Sequence, residues 1–217
     1  MKTDTQLMRD VTDELHWTPE IGASNVGVIA KEGVVTLTGH VSSFAEKHAA
    51  ERAAQRVRGV KALAVELTVR LPAGGARTDA DIALAAQRAI EWNAALPVDA
   101  IRVIVEGGRV MLEGQVEWHY QREAAEAAVR HLLGVVGVTN QIVIVPTVRT
   151  LDLELIVRQA LERQADREAK KLGITVNGSE VTLRGTVNSW DARRAIHGAV
   201  WSAPGVTSVV DNVTIEP

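Results

Sequence analysis

This chain reads as α+β: three tandem αββαβ modules, each a three-stranded mixed sheet with two helices on one face. Three observations point there. One pattern is written three times without insertion or deletion inside the unit: 75 residues separate Gly39 from Gly114 and 71 separate Gly114 from Gly185. In that register Leu37, Leu112 and Leu183 coincide, as do Val35, Val110 and Val181, and then Val41, Val116 and Val187. An internal period sets architecture before any other signal, because each unit must bury its own apolar face or share it with a neighbour. Each copy also changes its hydrophobic period in the same order, from helical to alternating to helical to alternating. The modules are expected at 1–70, 78–145 and 150–217.

The first helix of each copy is marked by apolar residues four apart: Leu7, Val11 and Leu15, then Ile82, Ala86 and Ile90, then Leu153, Val157 and Leu161. Such spacing lays one apolar stripe along a helix. Asp79 and Asp81 stand at the second of these starts, where acids favour the helix dipole and a capping role is expected. Two alternating runs follow, joined at Glu32-Gly33, Gly107-Gly108 or Gly178-Ser179, which signals a hairpin. In the second run Val35, Leu37 and Val41 face one way and Thr36, Thr38 and His40 the other.

Ser43 to Glu46 has the spacing of a capping box, and Ala49, Ala50, Ala53 and Ala54 form a small-residue stripe for close approach of helix to sheet. Gly59, Gly134 and Gly205 stand where a helix takes a left-handed residue just past its end. The last strand carries Val65, Leu67 and Val69, matched by Asn140, Ile142 and Ile144 and by Asp211, Val213 and Ile215. A strand, helix, strand passage implies a right-handed crossover between parallel strands. Residues 71–77, with Pro72, Gly74 and Gly75, form the first linker. The second junction, 146–149, is shorter, lacks glycine and is expected to hold its modules more rigidly.

Composition narrows the function. The 217 residues are 46% hydrophobic and 24% charged with a net charge of −3, which gives no overall attraction to nucleic acid or to an anionic membrane. With no cysteine, disulfides, thiolate metal sites and thiol nucleophiles are excluded. No run of 18 apolar residues and no signal-peptide pattern occurs, so a cytoplasmic location is expected, periplasmic only for a processed form. Walker A, G-x-S-x-G, G-x-G-x-x-G and H-E-x-x-H patterns are missing, and arginines alternate with glutamates rather than forming a basic stripe. The expectation is therefore a protein without catalysis, cofactor, metal centre or nucleic-acid partner; its oligomeric state is left open.

The string Gly33-Val34-Val35-Thr36-Leu37-Thr38-Gly39-His40-Val41, the alanine-rich helix after it and Gly59-Val60 before the last strand together resemble the BON domain, named for bacterial osmotically inducible and nodulation proteins. The resemblance covers nearly the whole chain as three copies; in the third, Gly178 precedes Ser179 and the turn glycine is shifted by one. It implies an αββαβ fold, no enzymatic activity, an association with osmotic and envelope stress and, in several members, binding to anionic phospholipid. Cytosolic BON-containing proteins also include potassium binders. A monovalent-cation sensor and a holdase-like stress protein are thus the alternative readings.

Candidate lipid or partner contacts gather at the start of each second helix: Phe44 with Lys47, Trp118 and Tyr120 with Arg122, Trp190 with Arg193 and Arg194. Aromatic residues beside cations suit a headgroup boundary, each cation adding roughly 1 kcal/mol near an anionic surface. The alternative is that these aromatics staple the helix entrance or pack on a neighbouring copy. The middle copy turns Ile104, Met111 and Val143 outward where the third has Thr175, Thr182 and Thr214, so this open face is expected to meet a neighbouring copy or another subunit. Trp17 and Trp92 occupy equivalent places, with Arg163 in the third copy, and are expected to cap the core. His119 and Glu123, four apart, could face one ion, but a solvated helix face is the expected reading.

Overall fold

The computed structural model describes residues 2–146, 153–164 and 172–216. The first module comprises α1 (Asp4–His16), β1 (Val26–Lys31), β2 (Val34–Val41), α2 (Phe44–Arg56) and β3 (Ala62–Val69). The second comprises α3 (Asp79–Glu91), β4 (Ile101–Glu106), β5 (Arg109–Val116), α4 (His119–Arg130) and β6 (Gly137–Ile144). The third comprises α5 (Leu153–Gln164), β7 (Gly173–Asn177), β8 (Glu180–Val187), α6 (Trp190–Trp201) and β9 (Ser208–Ile215).

Each module holds its own three-stranded sheet with the hairpin's second strand in the centre. That strand pairs antiparallel with the first and parallel with the last. Leu37 lies across from Val28 on one side and Val65 on the other; Leu112 and Leu183 take the same places between Val103 and Asn140 and between Ile174 and Asp211. Three separate buried clusters result, one per module, each formed by the inner strand face and the apolar stripes of both helices. The mixed αββαβ architecture read from the repeat is the architecture present.

The register glycine explains why the repeat is so strict. Gly39, Gly114 and Gly185 have φ of 111°, 144° and 138° in mid-strand, where a side chain is strained. A Cβ on Gly39 would strike the Asn25 carbonyl, and one on Gly114 the Ala100 carbonyl. In the first two modules the chain entering the first strand therefore crosses directly over this position.

Local details differ from expectation in three places. Gly59, Gly134 and Gly205 are left-handed, with φ of 106°, 89° and 96°. They lie two or three residues beyond the C-caps Val57, His131 and Ser202, inside the turn that launches the last strand. There Val60 N–H bonds the Val57 carbonyl and Val135 N–H the Leu132 carbonyl, so the glycine serves that turn and not the helix end. Asp81 completes a capping box with Thr78, but Asp79 turns away and accepts from the hairpin N–H groups of Gly107 and Gly108 at 2.8 and 2.9 Å. Asp4, its equivalent, accepts from Glu32 N–H at 2.9 Å. Glu46 likewise leaves the Ser43 N–H and accepts from Gly22 N–H and from the Ser42 N–H and hydroxyl, which ties the loop after α1 to the start of α2. Burial alone would raise the Glu46 carboxyl; these bonds outweigh it and hold its pKa below the usual value. Gln121 does the same work in the second module, accepting from Glu117 and Trp118 N–H and donating to the Ala95 carbonyl.

Among the described residues no helix is long and apolar enough to cross a membrane. The second junction, beyond Pro146, and the Glu162 side chain lie outside the described residues.

Candidate functional site

The candidate site begins with the second helices α2, α4 and α6, because the aromatics at their starts were expected to face a partner. In the repeat register Phe44, His119 and Trp190 are one position, and Gln55, Arg130 and Trp201 are another, three turns later. The structure places residues of both positions at module boundaries. Phe44 of the first module packs against the buried cluster of the second, and Arg130 of the second reaches His48 of the first at 3.4 Å. His119 of the second module stacks on Trp201 of the third, with ring centroids 4.0 Å apart and planes 15° from parallel. Trp190 of the third packs against the cluster of the first as well as its own, and α6 lies against α2. The contacts run from first to second, second to third and third back to first, a closed cycle.

Two of the expected partner contacts, Phe44 and Trp190, are thus partly buried between modules. The cations beside them are also engaged internally. Lys47 Nζ donates to the Leu67 carbonyl at 3.0 Å, Arg122 to the Asn140 carbonyl at 3.2 Å, and Arg193 pairs with the Asp211 carboxylate at 2.8 Å. This repeated cation fastens each second helix to the last strand of its own sheet. Arg193 also lies 5.2 Å from the centre of the Trp190 ring, and Arg194 pairs with Asp191 on the exposed face. Trp118 and Tyr120 remain exposed, at 38% and 55%.

Trp17 and Trp92 do not cap the core. They are the C-caps of α1 and α3 and stand 83% and 89% exposed. The stripe that buries Leu7, Val11 and Leu15 places residue 17 on the opposite side of the helix end, so its indole points to solvent. Ile104 and Val143 are exposed and Met111 half-buried on the open face of the second sheet, and none of them joins a buried cluster. Among the described residues, the side chains seen to bridge modules belong to the second helices.

His119 is not on a solvated face: its side chain is 16% exposed, and Glu123 approaches only to 3.8 Å. Burial, with Arg122 and His197 nearby, pushes the His119 pKa down to about 4. Burial, with Arg130 and Arg52, does the same to His48, also to about 4. No cluster of three or more potential metal-ligating histidine, cysteine or acidic side chains occurs among the described residues.

Sequence reasoning missed Trp201, Arg130 and His48. Trp201 had a signal available, since it aligns with Arg130 and Gln55: a large indole at a position that is polar in both other copies asks for a partner outside its own module.

Comparison with curated proteins found no match. Two solved structures are similar to this chain at 15% identity and a TM-score of 0.27, a likeness too low to support any argument. One is described as CdsD, a structural protein of the type III secretion system of Chlamydia trachomatis, with 97% of this chain and 92% of that one covered. The other is the C-terminal domain of CdsD, covered in full on both sides. The family model described as BON domain matches residues 3–70, 78–146 and 150–217. The chain therefore belongs to the BON domain family, as three successive copies.

Proposed function

We propose that this protein acts by binding rather than by bond-making, in adaptation to osmotic or envelope stress, and that its partner is an anionic phospholipid surface at the membrane periphery. One observation carries the reading. Trp17 and Trp92, at the same position of two modules, hold their indoles almost wholly in water, at 83% and 89% exposure. Burying a large apolar side chain is worth about 1.5 to 3 kcal/mol, so two such residues left in water represent free energy available to a partner. Indole suits the headgroup boundary, with its apolar body against acyl chains and its N–H toward water. Trp118 and Tyr120 of the second module add further exposed aromatic surface.

The net charge of −3 makes long-range attraction weak, and the cations at Lys47, Arg122 and Arg193 are engaged inside their modules. Insertion of indole, not charge, then supplies most of the affinity. In flotation with vesicles containing anionic phospholipid, the double variant Trp17→Ala/Trp92→Ala is expected to bind at least about tenfold more weakly than wild type, with an unchanged melting profile. A double variant that floats as wild type does would remove these residues from the contact.

A further inference from the structure

We infer that the cycle of modules is a clasp opened by acid: protonation of His48, His119 and His197 at the contacts between second helices separates the modules while each keeps its own fold. This is independent of the ligand proposed above. All three histidines lie on second helices; His48 meets α4 through Arg130 and His119 stacks on Trp201 of α6. His197 lies edge-on to that Trp201 on its own helix, 6.0 Å away, and faces His119 and Glu123 of α4. Each module has a separate buried cluster, so parting the helices leaves three cores in place.

The contacts are also incompletely satisfied. Trp190 Nε1, Trp201 Nε1 and Arg130 Nε are buried with no hydrogen-bond acceptor among the described residues. Opening would return three donors to water, so closure rests on apolar packing against an opposing polar cost.

Burial disfavours the cation at each ring, and charges of both signs stand around it. His48 faces Arg52 on its own helix, Arg130 and Glu126 from α4 and His131 just beyond it; Glu51 of α2 is half-buried near the same Arg130. His119 faces Arg122 and Glu123 on α4 and His197 from α6. His197 faces Arg193 on α6, Asp211 from β9 and Glu123 from α4; burial outweighs the two carboxylates and lowers its pKa. A histidine whose pKa is lower in the closed state than in the open one binds its proton better when open. The closed form is thus fully favoured above the open-state value of about 6.5 and loses ground as pH falls toward the closed-state value. Glu51 acts the other way, since burial raises its pKa and its protonation favours closure. His48 and His119 should each shift the opening equilibrium by a factor of order ten between about pH 7 and pH 5.

The test is small-angle X-ray scattering of the whole chain with far-ultraviolet circular dichroism, titrated from neutral to acid pH, for wild type and His48→Gln/His119→Gln/His197→Gln. The radius of gyration should grow as pH falls below about 6 while the dichroism holds, and the triple variant should stay compact to lower pH. A constant radius, a radius that grows only as secondary structure melts, or a triple variant opening at the wild-type pH would each overturn the inference. Should the triple variant be expanded already at neutral pH, His48→Gln alone must show a shallower pH dependence than wild type, and an unchanged dependence would equally overturn it.

Discussion

Gly114→Ala is expected to unfold the second module. Its φ of 144° lies where only glycine rests without strain, and a methyl group there meets the Ala100 carbonyl and, at 3.1 Å, Ile101 Cα. The backbone strain alone costs about 1 to 3 kcal/mol. The obstruction adds to it, because both obstacles are main chain and cannot swing aside as a flexible side chain would. Relief requires β4 to lift from β5 at the Ile101 pairing with Gly114, and this moves Ile101 and Val103 off the buried cluster. A module this small holds only about 3 to 5 kcal/mol. Amide exchange should show the protection of β4, β5 and β6 lost together. Full retention of protection there would contradict the assigned close approach.

Leu112→Ala follows, with an expected loss of about 2 to 5 kcal/mol. Leu112 is fully buried at the centre of the middle strand, flanked by Val103 and Asn140 and covered by both helices of its module. Removing its side chain leaves a cavity in a cluster of a dozen buried residues, in a layer whose partners are fixed by strand pairing and cannot close over it. The denaturation midpoint should fall markedly, and a midpoint that hardly moves would contradict burial at the sheet centre. Leu37 and Leu183 occupy the same place and should behave alike.

The contrast between these residues and the aromatics shows what was readable in advance. Leu112 and Gly114 act inside one module, where strand alternation, helix stripes and the threefold repeat all constrain the same position. Trp17 was legible only if the helix runs on through it: the C-cap keeps helical angles, φ −78° and ψ −6°, and two residues past Leu15 that turns the indole away from the stripe, whereas a chain leaving the helix earlier could have folded it over the core. Phe44 and Trp190 were recognisable as an aromatic position, but whether they meet lipid or a neighbouring module depends on how the modules assemble, which no local period encodes. Asp79 and Asp4 illustrate the same boundary at smaller scale, since a carboxylate in a first helical turn suggests a cap, while its real partner lies 28 residues on, in the hairpin turn.

Interlocking of the modules through their second helices is tested most directly by hydrogen exchange of Trp201→Ala. Trp201 belongs to the third module but stacks on His119 of the second and packs against the second module's cluster. The prediction is faster exchange at the start of α4 as well as in α6, with the strands of both sheets still protected. Faster exchange confined to the third module, with α4 unchanged, would contradict it.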